Sequence, residues 1–416
     1  MVEVQSRGVL MDILFVHQNM PAQFKHLAPA VARSERHRVI FITRANGPDM
    51  PGVRRISYEG PQPAGPATHH YVRLYEASVR YGQQVARKLL ELKSEGFNPA
   101  IVIGHPGWGE MLFVKDVFPR TVVLSYAEFY YRGRGADVGF DPDQPADLDA
   151  ICRTRARNAH LLLSLEMADA GLSPTQWQRS RHPEIFLPKI HTIFDGIDTE
   201  LVKPDPAAKF TLDDGRVLTR ADEVVTYVAR NLEPYRGYPS FIRSIPAILA
   251  ARPNVQIVIT GGDQVSYGTQ APNGLSWRAH MESEVPLADD SRVHFTGKLP
   301  YARYLSLLRV STAHVYLTVP FVLSWSFVEA MASGCVLIAS DTAPVKEFID
   351  PGQNGYLVPM YNPSAIAETV VNLLVSRTSH LRLRKGARDT VLDRYALSRC
   401  LPQQIKLIER LTDSVI

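Results

Sequence analysis

Two arginines stand six residues apart in the segment Ala229-Arg230-Asn231-Leu232-Glu233-Pro234-Tyr235-Arg236-Gly237. Arg230 follows an apolar run, Glu223–Val228, and Arg236 precedes a stretch that reads as a helix from about Pro239. Guanidinium groups at a strand's end and before a helix can converge on one anion. Their planar forks match phosphate oxygens, and a helix N-terminus adds partial positive charge. Two solvated surface arginines would give the same spacing. A second stretch, residues 318–334, reads as a loop after a strand ending near Leu317, then a helix from about Ser326 to a C-cap at Gly334. Backbone N–H groups at such a helix start face whatever lies over the sheet edge. Glu329 sits one turn inside. Ser326-x-x-Glu329 is a capping box, which needs no ligand; a carboxylate beside an anion site would otherwise accept hydrogen bonds from hydroxyls, and ribose hydroxyls are natural donors.

The elements that must position these groups alternate between short apolar strands and helices. Strands are expected at Asp12–His17, Arg38–Thr43, Ala100–Gly104, Thr121–Tyr126, Leu161–Ser164 and Lys189–Ile193, with helices such as Phe24–Ala32 and Leu74–Leu92 between them. A second series follows at Glu223–Val228, Val255–Thr260, Val293–Phe295, Ala313–Leu317, Val336–Ala339 and Gly355–Val358. Continuous apolar strands separated by helices imply parallel sheets covered on both faces. The fold class is therefore α/β, with two Rossmann-like doubly wound domains facing across a cleft. The first spans 11–200 and the second 223–394. Between them, 201–222 carries prolines and charges without periodicity and reads as a linker. A closing segment, 395–416, with a helix near Leu397–Leu411, is expected to cross back to the first domain. Residues 1–10 read as an extension or an upstream start. In doubly wound sheets ligands sit beyond the C-terminal strand ends, where both arginines fall.

Composition narrows the class. A chain of 416 residues exceeds one ordinary core, and 45% hydrophobic with 21% charged residues is ordinary for a globular protein. No apolar run reaches the roughly 18 residues of a membrane span, and the N-terminus lacks a signal-peptide layout. Cys152, Cys335 and Cys400 are scattered, which argues for a reducing compartment and a cytoplasmic location. Lys plus Arg number 46 against 42 Asp plus Glu, a net charge of +4. That excess suits anionic ligands and excludes the concentrated basic stripe of a nucleic-acid binder. Basic stretches at Arg153–Arg157 and Arg382–Arg388 leave weak peripheral membrane contact open.

The run Phe327-Val328-Glu329-Ala330-Met331-Ala332-Ser333-Gly334-Cys335-Val336-Leu337-Ile338-Ala339-Ser340-Asp341 resembles the signature of family 4 retaining glycosyltransferases with the GT-B fold. Gly196-Ile197-Asp198-Thr199, Arg230 with Arg236-Gly237, Ile259-Thr260-Gly261-Gly262, Phe295-Thr296-Gly297 and the segment 351–358 fit the same family. The resemblance implies that Arg230 and Arg236 bind a donor diphosphate, Arg236 standing where the family usually has lysine. It implies that Glu329 takes the nucleotide ribose and that the backbone around Leu323, Ser324, Trp325 and Ser326 holds the distal phosphate and sugar. Gly262 joins the donor site, and Lys298 and Leu299 lie against the base. Phe321 stands where the first glutamate of the family's Glu-x7-Glu pair belongs, the residue that ordinarily binds the transferred sugar.

In the first domain, many relatives carry a histidine at the end of the strand corresponding to Thr121–Tyr126. Here Tyr126 or Glu128 takes that positioning role, with His105 as the alternative. His17, Asn19 and Gln23 close the first strand where the family has a Gly-rich loop near donor and acceptor. The expected activity is transfer of a sugar from a UDP- or GDP-type donor to an acceptor hydroxyl, with retention, no metal and no cofactor beyond the co-substrate. The acceptor could be a glycan, a lipid-linked sugar or a small natural product. A GT-B epimerase and a donor-binding protein without transferase activity are the rival readings. Asp141-Pro142-Asp143 and Asp147-Leu148-Asp149 have the look of a metal-binding DxD but sit in a Pro-rich loop, so they read as turn residues.

Overall fold

The computed structural model describes residues 11–34, 37–44, 47–287, 290–375 and 377–413; the expected N-terminal extension, 1–10, lies outside them. Two compact units emerge, one of the described residues up to Asp195 with those from Ser398 onward, the other Gly196–Leu397. The first unit holds β1 (Met11–Val16), β2 (His37–Thr43), β3 (Val53–Ser57), β4 (Pro99–Gly104), β5 (Val122–Tyr126), β6 (Ala170–Ser173) and β7 (Ile190–Thr192). They form one sheet in the order β3-β2-β1-β4-β5-β6-β7, every pair parallel. Alternate residues of β1 serve opposite faces. Ile13 and Phe15 pack with Leu27, Ala28 and Val31 of the helix Leu27–Ala32, whereas Leu14 and Val16 pack with Val85, Leu89 and Leu92 of the helix Arg73–Ser94. Covering on both faces is why the strand reads as unbroken apolar sequence. Leu407 and Ile408 of the helix Leu397–Asp413 join the first of these clusters, and Gln404 Nε2 donates to the Phe194 carbonyl.

Three expectations need correction in this unit. Leu161–Ser164 is not a strand but part of the helix Ala159–Met167, where the Ser164 hydroxyl donates to the His160 carbonyl one turn back. A short apolar run cannot distinguish a buried strand from a buried helix; the strand starts at Ala170. The helix expected over Phe24–Ala32 is a 3-10 turn, Ala22–Phe24, followed by Leu27–Ala32. β3 lies within residues 47–68, a stretch without a strand in the sequence reading.

The second unit begins with an antiparallel hairpin, β8 (Phe210–Thr211) and β9 (Val217–Leu218). Its sheet contains β10 (Val224–Asn231), β11 (Gln256–Gly262), β12 (Val293–Gly297), β13 (Ala313–Tyr316), β14 (Val336–Ser340) and β15 (Gly355–Val358), all parallel, in the order β12-β11-β10-β13-β14-β15. The hairpin falls inside 201–222. Ala208, Phe210, Leu212 and Leu218 pack with Val224, Val258, Leu307 and Val310, so the expected linker is folded into this core. Strands of two residues are too short to show a period. The basic run Arg382–Arg388 is likewise absorbed: Arg384 donates to the carbonyls of Gly334 and Ser311, and Arg388 to those of Val202, Ala332 and Thr199. No helix among the described residues is long and apolar enough to cross a membrane.

Each sheet reverses its strand order once, between β1 and β4 in the first unit and between β10 and β13 in the second. Strand ends diverge at such a switch point, opening a crevice beyond their C-termini. The candidate residues cluster at these two places.

Candidate functional site

In the second unit β10 ends in Arg230-Asn231, and a 3-10 turn, Pro234–Arg236, leads to Gly237. Gly237 has φ +66°, and a Cβ there would fall 2.4 Å from the Leu317 side chain. Only glycine lets the turn press against the end of β13, and this delivers Arg236 to the loop beyond it. Its guanidinium is buried, with the residue 7% exposed. Nη1 donates to the Tyr316 hydroxyl at 3.2 Å, the Thr318 hydroxyl at 2.7 Å and the Val322 carbonyl at 3.2 Å; Nη2 shares that carbonyl at 3.2 Å. The Tyr267 ring lies 5.4 Å from the guanidinium carbon. Every one of these partners is neutral, and among the described residues Arg236 has no carboxylate at ion-pair distance. Burial opposes its charge, yet Tyr316, Tyr267, Tyr227 and Glu233 outweigh that and raise its pKa. A buried cation with no ion-pair partner is costly to hold, by several kcal/mol; Glu233, from beyond ion-pair distance, is the carboxylate that favours it.

Glu233, fully buried, explains how the loop over Arg236 is held. Its Oε2 accepts the backbone N–H groups of Ser266, Tyr267 and Gly268 at 3.1, 3.1 and 3.2 Å. Phe321 is buried in the same neighbourhood, its ring 5.5 Å from Tyr235 and 5.2 Å from Tyr267.

The other donor-site candidates are placed as follows. Arg230 is exposed and makes no hydrogen bond or ion pair among the described residues. A Cβ at Gly262 would lie 2.5 Å from Lys298 Cε and 2.6 Å from Asn231 Oδ1, so these three residues meet. Lys298 is exposed, whereas Leu299 turns its side chain to the core, leaving its backbone for the role expected of it. The helix runs Trp325–Ala332 with Ser324 at its N-cap, so Ser326 is already helical and the capping box does not form. The buried Glu329 carboxylate instead accepts from the Tyr301 hydroxyl at 2.7 Å and the Tyr304 hydroxyl at 2.9 Å. Leu323 is buried, and Trp325 and Ser326 are half-buried. Ser324 N–H donates to the Tyr316 hydroxyl at 3.0 Å, so this amide already has a partner.

In the first unit β1 and β4 lie side by side, with Val16 opposite Gly104, which sets His17 beside His105. Their ring centroids are 5.1 Å apart, and Trp108 caps both at 5.2 and 5.0 Å. His105 Nδ1 accepts the Gly107 N–H at 3.0 Å, which fixes the hydrogen on Nε2; Nε2 donates to Glu128 Oε2 at 3.2 Å. Gln23 Nε2 donates to the other oxygen, Oε1, at 2.8 Å. Burial works against the Glu128 charge, but His105 and Gln23 hold its carboxyl below the usual range. His17 Nδ1 accepts the Asn19 N–H at 2.8 Å while the Asn19 side chain stays exposed. Burial, reinforced by His105, pushes His17 well down and keeps it neutral. The Tyr126 hydroxyl donates to Asp195 at 2.7 Å, and burial ahead of that carboxylate pushes it up. Thus His17, Gln23, His105, Glu128 and Tyr126 come from three separate stretches into one cluster.

Sequence reading missed Glu233, Tyr267, Asp195 and the Tyr301–Tyr304 pair. The last had a signal, since residues three apart on a helix share a face. Glu110 is also buried; it accepts from the Tyr58 hydroxyl at 2.8 Å, and burial raises it to about 6. Of the four aspartates of 141–149, Asp141 accepts from the Asp143 N–H in a turn and Asp147 caps the helix Leu148–Arg157, whereas Asp149 lies inside that helix, not in a turn, and accepts from the Tyr71 hydroxyl and Arg153.

Residues 35–202 match the Glycosyl transferase family 4 group and residues 222–376 match Glycosyl transferases group 1. The chain belongs to the family 4, group 1 glycosyltransferases. Its fold is GT-B. It is 28% identical over 201 residues to phosphatidyl-myo-inositol mannosyltransferase of Mycobacterium leprae, covering 47% of this chain and 48% of that protein. This family member thus spans about half the length of curated relatives such as that one. Spore coat protein SA of Bacillus subtilis is 22% identical over 397 residues, 92% of each. Sucrose-phosphate synthase from Thermosynechococcus elongatus superposes with a TM-score of 0.71 at 19% identity, over 97% of this chain and 100% of that one. Anabaena HepE, solved with UDP and glucose, gives 0.66 at 14% identity, over 96% and 100%. At such identities the two structures speak for the fold alone.

Proposed function

We propose that this family member moves a sugar from a UDP- or GDP-type nucleotide sugar to an acceptor hydroxyl, with retention of configuration and without a metal ion. The observation that carries the proposal is the buried Arg236 guanidinium, charged and surrounded by neutral oxygens at a topological switch point. Breaking the donor C–O bond builds negative charge on the departing diphosphate. A guanidinium already fixed in place stabilises that charge with no reorganisation during the reaction. Arg230, exposed at the end of the same strand, supplies a second cation. An ionised carboxylate offers about four lone-pair sites. Two on Glu329 are used by Tyr301 and Tyr304, and the rest suit ribose hydroxyls. In the first unit Glu128, oriented by His105 and Gln23, is the group that positions the acceptor hydroxyl. The names of the relatives, a mannosyltransferase and a protein solved with UDP, support the donor class.

A thermal-shift panel of nucleotide sugars tests the donor, since a ligand that binds only the native state raises the melting temperature. Transfer then requires that nucleoside diphosphate be released only when an acceptor is present. Release without acceptor, or no rise with any nucleotide sugar, would contradict the proposal. Phe321 favours one second reading, donor binding without turnover, for which the outcome is a melting shift with no release across a broad acceptor panel.

A further inference from the structure

The second unit carries a surface cavity of about 380 Å³ whose lining includes Arg220, Asp222, Glu223, Thr312 and Arg384. Glu223 and Thr312 immediately precede β10 and β13, so the cavity lies at the N-terminal edge of the sheet. Arg230 and Arg236 lie at and beyond the other end of β10. Arg220 is half-buried and makes no hydrogen bond or ion pair among the described residues. Arg384, on the helix Arg377–Arg394, donates from Nη1 to the Gly334 carbonyl at 3.0 Å and from Nη2 to the Ser311 carbonyl at 2.9 Å. A guanidinium has five N–H donors, so most of those on Arg384 are left for a ligand. The carboxylates that share the cavity are engaged elsewhere. Asp222 Oδ2 accepts the Thr219 N–H at 2.7 Å and its hydroxyl at 2.9 Å, and Glu223 takes the Arg252 guanidinium. Burial, and then the field of Arg220, bring the Arg384 pKa down to about 10, so the two cations stand near enough to repel.

We propose that this cavity binds a small phosphorylated molecule, its phosphoryl group shared between Arg220 and Arg384. Two like charges beside one open space are relieved by an anion placed between them. One guanidinium fork already satisfies a carboxylate in bidentate fashion. A phosphoryl group brings three acceptor oxygens and a charge of about −1.5 to −2 at neutral pH, enough for two forks. The volume lies near the lower end of the roughly 300–1,000 Å³ usual for small-molecule sites, which suits a compact ligand. This site is separate from the proposed donor site and does not depend on it.

Titration calorimetry of inorganic phosphate and of acetate into the full chain, at fixed ionic strength, tests this. Phosphate is expected to bind the wild type, and Arg220→Gln should weaken that binding by about tenfold or more, the scale of losing hydrogen bonds to a charged group. Arg236→Gln, which removes the donor-site cation, should retain it. Acetate should bind the wild type at least about tenfold more weakly than phosphate. Melting curves confirm that each variant is folded, and Arg220 has no hydrogen-bond partner among the described residues to lose. No phosphate binding to the wild type, or unchanged affinity in Arg220→Gln, overturns the proposal. Acetate bound as tightly as phosphate overturns the phosphoryl class, and loss of phosphate in Arg236→Gln alone assigns the ion to the donor site instead. None of these outcomes decides donor binding, which nucleotide-sugar titrations read separately.

Discussion

In the first unit Glu128 accepts from His105 on one oxygen and Gln23 on the other. In the second, Arg236 is buried among a tyrosine, a threonine and a backbone carbonyl. Both are charges held by neutral hydrogen-bonding groups, and they differ in sign. The first unit holds a carboxylate with one donor on each oxygen, fixed in orientation with lone pairs to spare, whereas the second holds a cation that Glu233 favours from beyond ion-pair distance. In the proposed function the carboxylate orients a hydroxyl and the cation meets an anion that arrives from outside.

The contrast is broken most severely by Arg236→Ala, which should lower turnover by about two decades or more, the scale of losing a transition-state donor. Single-turnover kinetics at saturating donor would check it, and unchanged turnover would return Arg236 to a structural role. Next comes Glu110, a buried carboxyl raised from 4.5 to about 6 in the fold. Its folded value exceeds the unfolded one, so its contribution is present below about pH 4.5 and lost as pH rises through 6. A shift of this size corresponds to about 2 kcal/mol. Glu110→Gln should therefore stabilise the protein at pH 8 relative to wild type and gain little at pH 4.5, as denaturant melts at both pH values would show. Smaller is Glu329→Ala, for which the donor KM should rise about tenfold, in line with hydrogen bonds to a charged group. An effect confined to kcat would argue against a ribose contact. Smallest is Tyr301→Phe, which frees one oxygen of Glu329; donor KM should change by no more than about threefold, the scale of a single net hydrogen bond.

Much of this was readable in the chain. All strands of both sheets except β3 and β6 follow apolar runs, and the two arginines and the cluster candidates His17, Gln23, His105, Glu128 and Tyr126 lie at or just beyond the ends of such strands. What could not be read depended on loops whose register no periodicity fixes. Glu233 looks like a helix-preceding acid until the loop 266–268 folds onto it, and Tyr267 sits in a stretch with no pattern. Leu161–Ser164 failed because four apolar-rich residues fit a helix as well as a strand. The capping box at Ser326 failed because the helix starts one residue earlier and two tyrosines claim Glu329.

The most direct measurement is calorimetric titration of UDP and GDP into the wild type and into Arg236→Gln, with melting curves to confirm folding. A measurable affinity in the wild type for at least one of them, falling by about tenfold or more in the variant, is the expected result. Equal affinity in the two proteins would contradict the assignment of this buried cation to the diphosphate.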